Sequence, residues 1–163
     1  MPFSPLHMGP GIVLKAALQR RFSLTVFGWS QIVIDIQPLV AMAGGHVELH
    51  GFSHTLAGAT LIGALCVPTG KWLSEWGLRL IHETRYLPIR WRTACASSFI
   101  GTYSHILLDS IVHPDVRPFM PFSAASPLYG LVDTGTMDLA CVALAFVGGM
   151  AYYILERRKT AKG

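Results

Sequence analysis

The run FSLTVFGWSQIVIDIQPLVAMA, from Phe22 to Ala43, carries one formal charge, Asp35. A helix rises about 1.5 Å per residue, so about 20 apolar residues cross a hydrocarbon core roughly 30 Å thick. The run is long enough, and it reads as a transmembrane helix with an acid inside it. Two further stretches have the same character: Ala94 to Val112 holds only Asp109, and Thr136 to Leu155 only Asp138. Ser53 to Pro68 is shorter and spans if the bilayer thins or its ends snorkel. Leu6 to Leu18 follows a plausible helix start, Ser4-Pro5. It is too short to be a span by itself, and it lacks the basic flank and small-residue cleavage pattern of a secretory signal, so it is read as a retained helix. The expected fold is all-α, an integral membrane bundle of four to five short transmembrane helices forming one membrane-embedded domain over residues 1–163.

Composition agrees. Hydrophobic residues make up 52% of the chain and charged residues 13%, too little polar surface to wrap a soluble domain of 163 residues. The net charge of +4 does not point to nucleic acid, because no Lys/Arg stripe is interleaved with aromatics. The expected partner is the lipid bilayer. Cys66, Cys95 and Cys141 are widely separated, odd in number and each within an apolar stretch, which fits small hydrophobes better than disulfides or thiolate ligands.

The basic residues alternate between connections. Lys15, Arg20 and Arg21 precede the first long run; Lys71, Arg79, Arg85, Arg90 and Arg92 lie before the third; Arg157, Arg158, Lys159 and Lys162 follow the last. Gly44 to Phe52 has none, and His113 to Gly135 has only Arg117. The positive-inside rule then places the basic loops and the C-terminus in the cytoplasm. Trp72, Trp76 and Trp91 fall in a basic loop, where Trp72 to Ile81 is expected as an interfacial amphipathic helix.

With this topology His7, Asp35, His50, His54, His105 and Asp109 all fall in the outer half of the membrane or just above it. An Asp within a span costs on the order of 3 kcal/mol on insertion scales, so such groups face a bundle interior and serve a purpose. His50-Gly51-Phe52-Ser53-His54 is an HxxxH, and His105-Ile106-Leu107-Leu108-Asp109 an HxxxD. Positions four apart share a helix face, so each motif can offer two ligands to one metal or to adjacent metals. For the first motif Ser53 is a candidate N-cap, which leaves His50 in a loop and His54 in the first turn. Imidazole with carboxylate suits zinc, with one or two ions open. Without suitably placed cysteines the site points to catalysis, in which a metal lowers the pKa of bound water from 15.7 to about 7. Asp35 or Asp109 is then the catalytic carboxylate that takes the proton or orients a histidine.

Ser4-Pro5-Leu6-His7, the Asp after the first long run, His50-Gly-Phe-Ser-His54-Thr55, Ser104-His105-Ile-Leu-Leu-Asp109-Ser110 and Met120-Pro121-Phe122-Ser123 together resemble the membrane-bound metal-dependent hydrolases, also described as LexA-binding inner-membrane-associated hydrolases. The resemblance runs roughly from His7 to Ser123 and implies a hydrolase of the inner membrane. Those proteins commonly carry Asp-x-Asp where this chain has Asp35-Ile36-Gln37, and His-Arg-Gly-x-Thr-His where it has His50 to His54. The HxxxD element is also similar to that of zinc-dependent phospholipase C enzymes, which implies an ester or phosphoester substrate, including phospholipid.

Other residues have plainer readings. His46 and Glu48 are expected in a solvated loop. His113, Asp115, Arg117 and the nearby prolines form an outer loop, read first as a plain connection and otherwise as a cap on the site or a binding place for an anionic headgroup. His82 lies in the basic region, outside the site. Asp133 and Asp138 cap the last helix, and Gly58, Gly63, Gly148 and Gly149 with Ala57 and Ala59 offer small faces for helix contact. Two non-catalytic alternatives stay open: a metal-stabilised scaffold, suggested by Gln37 where an acid is expected, and a haem protein using His7, His54 and His105 as axial ligands.

Overall fold

The computed structural model describes residues 5–45 and 49–161. Ser4, His46, Glu48 and Lys162 lie outside the described residues. Among the described residues the regular structure is entirely helical: α1 (Met8–Leu18), α2 (Leu24–Ile34), α3 (Ile36–Ala43), α4 (Leu56–Leu80), α5 (Trp91–Val112) and α6 (Thr134–Thr160), with short 3₁₀ turns between some of them. The protein is a helical membrane bundle. Three segments are long and apolar enough to cross a bilayer: Leu24–Ala43, Leu56–Leu80 and Thr134–Thr160.

The first of these is not one straight helix. Pro38 has no N–H to give the Ile34 carbonyl, so the chain breaks at Asp35 and resumes as α3. Ser23 starts α2 by accepting from the Val26 N–H. The segment expected to end at Pro68 instead continues through that proline to Leu80. Trp72 to Leu80 is therefore the last part of α4, and no separate interfacial helix forms there. Within it Lys71 is buried and pairs with Glu75, which also accepts from the Ile89 N–H at 3.0 Å.

The stretch from Ala94 to Val112 differs from expectation in the opposite sense. It forms α5 but is not among the helices whose length and composition suffice to cross a bilayer. Ser97, Ser98, Thr102, His105, Asp109 and Ser110 lower its hydropathy, and all six are buried. The reason is position: α5 packs against both α2 and α4, so its polar groups meet protein. Ser98 donates to the Gly63 carbonyl at 2.7 Å, and Ser97 accepts from the Ser23 N–H at 2.9 Å.

The last helix, α6, lies outermost and packs on α1. Gly148 lets it approach: a Cβ there would stand 2.6 Å from the Val13 backbone nitrogen. Asp133 caps α6, accepting from the Thr136 N–H at 3.0 Å and its hydroxyl at 2.6 Å. Cys66 and Cys141 are buried as expected, whereas Cys95 is exposed on the outside of α5.

Candidate metal centre

The centre is built where the broken α2–α3 helix, the turn before α4 and the far part of α5 meet. His105 and Asp109 stand one turn apart on α5, with Nε2 and Oδ2 3.1 Å apart. The break at Asp35 turns its carboxylate inward, so that Oδ1 lies 3.1 Å from His105 Nε2 and 3.7 Å from His54 Nε2. His54 comes from a 3₁₀ turn, Phe52–His54, and its Nε2 is 3.0 Å from Asp109 Oδ2. All four side chains are buried, and each offers a ligand atom within 4.8 Å of the others. This group could hold a metal ion.

Hydrogen bonding fixes which way the nitrogens face. His105 Nδ1 is 2.6 Å from Gln31 Oε1, while the Gln31 amide nitrogen donates to the Gly101 carbonyl at 2.9 Å. The amide orientation follows from that network, so the imidazole donates from Nδ1 and its Nε2 carries a lone pair. That lone pair faces two carboxylate oxygens. His54 is held similarly, its Nδ1 2.9 Å from the Ser53 hydroxyl. The Nε2 atoms of both rings are buried with no hydrogen-bond partner, since the nearby oxygens are out of line for a ring N–H. Imidazole nitrogens converging on one point with two buried carboxylates form a donor set that a shared cation would satisfy. The residues present therefore fit a divalent metal.

A second group adjoins the first through Asp109. His50, Asp109 and His113 also bring ligand atoms within 4.8 Å of one another. His50 Nε2 and His113 Nε2 each lie 3.9 Å from an oxygen of Asp109, and their rings are 4.6 Å apart. His50 Nδ1 is 2.9 Å from Asp115 Oδ1, and Asp115 Oδ2 accepts from the backbone N–H groups of Leu49 and His50. Burial favours the neutral acid at Asp115, but the His50 side chain and those N–H groups overcome it and hold the carboxyl at about 2. A carboxylate behind a histidine in this way orients the ring toward a metal. His7, just before α1, completes the ring of imidazoles, with Nε2 3.6 Å from Asp109 Oδ1 and its ring 4.8 Å from that of His105.

The structure thus brings together His7, Asp35, His50, His54, His105 and Asp109. The HxxxH does so without a helix face: Thr55, not Ser53, caps α4 by accepting from the Gly58 N–H at 3.0 Å, and a tight turn sets the two imidazoles 4.6 Å apart. Gln37 stays out of the cluster. Its Oε1 accepts from the Ser53 N–H at 2.7 Å and clamps the turn carrying His54. Gly51 leaves room for that clamp, since a Cβ there would stand against the Gln37 amide as now placed. His113, Asp115 and Gln31 are site residues beyond the six. His105, Asp109 and His113 continue one four-residue ladder, and Gln31 precedes Asp35 by four. His82 lies apart, in the turn after α4.

A cleft of about 740 Å³ opens beside the His50 turn, between α3 and α4, with Val33, Val40, Phe52 and Ile62 among its walls. The rings of His7, His54 and His105 stand in edge contact at 4.8 and 5.3 Å, which leaves no flat slot for a porphyrin between them.

A family model described as YdjM inner membrane protein matches residues 10–161. No curated protein and no solved structure gives a significant match.

Proposed function

The chain belongs to the YdjM inner membrane protein family, and from that premise we propose that it is a membrane-embedded metal-dependent hydrolase of esters or phosphoesters, phospholipid included. One observation carries the reading: three histidines are tied from outside at Nδ1, by Gln31, Ser53 and Asp115, while their Nε2 atoms face two buried carboxylates. The imidazole and carboxylate donors suit zinc. The two overlapping groups that share Asp109 support one ion or two.

A divalent ion held by these residues would supply Lewis acidity and the activation of a water for attack. The protein's own groups supply the rest. Asp109 turns one oxygen to His54 and His105 and the other to His7 and His113, and so would be the central ligand of a bound ion. Asp35 makes its nearest approach to both imidazoles through Oδ1, and its carboxylate is the candidate to accept a proton from the attacking water. The apolar cleft beside His50 suits an amphiphilic substrate whose polar bond must reach the histidines while its chain stays in lipid. By the charge rule this end of the bundle faces away from the cytoplasm and the C-terminus lies inside.

The test is elemental analysis of detergent-purified protein beside hydrolysis assays on a chromogenic phosphodiester and a fluorogenic phospholipid. Wild type is expected to hold zinc and turn over one of these substrates, and His105→Ala and Asp109→Ala to lose both properties. Full metal content in both variants would overturn the site. Stoichiometric metal with no turnover on either would favour a metal-stabilised scaffold.

A further inference from the structure

We propose a second binding site at the opposite end of the bundle, which takes one anionic glycerophospholipid from the adjacent leaflet. A cavity of about 710 Å³ opens there between α1, the start of α2, the start of α5 and α6. Lys15, Arg20, Arg21 and Arg90 line it, and no Asp or Glu does. None of these four takes part in an ion pair among the described residues. Neighbouring cations behave differently: Lys71, Arg79, Arg85 and Lys159 pair with Glu75, Glu83 or Glu156. The cavity thus gathers four cations with no carboxylate partner, and no acid stands among its walls.

Its inner wall is apolar. Phe22 and Ile89 are buried beneath it, and at Gly149 of α6 a Cβ would meet nothing within 4 Å. Lys15 is held at the boundary between the two regions, donating to the Gln19 and Phe22 carbonyls at 3.0 Å and lying 4.6 Å from the centre of the Tyr86 ring. A free phosphate would satisfy the cationic rim but leave the apolar space empty. A lipid fills both, with its phosphate among the cations and its glycerol and upper acyl chain along the wall. Basic pockets between membrane helices commonly serve this purpose, and the charge rule places this one in the cytoplasmic leaflet. The site is independent of the hydrolase reading, because its residues touch none of the histidine cluster.

The experiment is native mass spectrometry of the full chain released from nanodiscs of mixed phosphatidylglycerol and phosphatidylcholine, with zinc content measured on the same samples. Wild type is expected to retain phosphatidylglycerol selectively. The Arg21→Gln/Arg90→Gln double variant removes two rim charges and is expected to lower retention roughly thirtyfold. Gly149→Leu keeps every charge, fills the cavity and is expected to lower retention as well, with zinc content unchanged in both variants. Equal retention of the two lipids, wild-type retention in either variant, or displacement of the lipid by millimolar inorganic phosphate would each overturn the proposal.

Discussion

His105 draws its character from a residue four positions before Asp35. Gln31 has both ends of its amide engaged, one by the Gly101 carbonyl and the other by the imidazole, so the ring can neither rotate nor change tautomer cheaply. Gln31→Leu keeps the volume of a buried side chain and removes the acceptor. Loss of such a partner typically costs about 10- to 100-fold in metal affinity, and that drop is the expected result in a zinc competition titration. Gln31→Glu restores an acceptor and should recover most of it. If the leucine variant binds zinc as tightly as wild type, Gln31 does not position the ring. His50 with Asp115 repeats the arrangement at the second group, with a full charge behind the histidine in place of an amide.

At the scale of elements, close approach of α1 and α6 depends on Gly148. A side chain there meets the α1 backbone at Ile12 and Val13, which cannot move aside as a flexible side chain would. Gly148→Val is expected to lower stability by about 1–3 kcal/mol, the usual cost of overpacking, seen as a lower thermal midpoint in detergent. Gly149→Ala, one position on and facing open space, should leave the midpoint unchanged or raise it. An equal fall in both would show that the close contact is not the cause. The helical membrane character was legible because the three long apolar runs carry one formal charge each, and the His105–Asp109 pair because four residues return a helix to the same face. The role of α5 was not legible. Length and hydropathy do not reveal what surrounds a helix, and its serines are buried against α2 and α4. The path of α4 through Pro68 was hidden for a related reason, since a proline ends a helix in water more readily than inside a bundle. His113 reads from sequence as part of a loop that could cap the site, because Pro114 ends the helix beside it, although it also completes the ladder of His105 and Asp109.

Across the whole molecule the two ends have opposite chemistry, histidines and aspartates at one and unpaired cations at the other. From Trp91 to His105, α5 rises about 21 Å at 1.5 Å per residue, so the cluster lies far along the helix from the basic end. This separation makes topology testable without any assay of activity. In a background lacking the native cysteines, Ala124→Cys is expected to react with a membrane-impermeant maleimide in intact cells, and Ala161→Cys only after lysis. The reverse pattern would invert the orientation. Because α5 serves α2 and α4 along one length and the metal ligands along the next, its register is fixed at both. Inserting or deleting one residue between Ser98 and His105 would swing the ligand ladder by about 100° and strand it against a neighbouring helix. Gains and losses of length among related chains should therefore collect in the 114–132 connection and be absent from the middle of this helix.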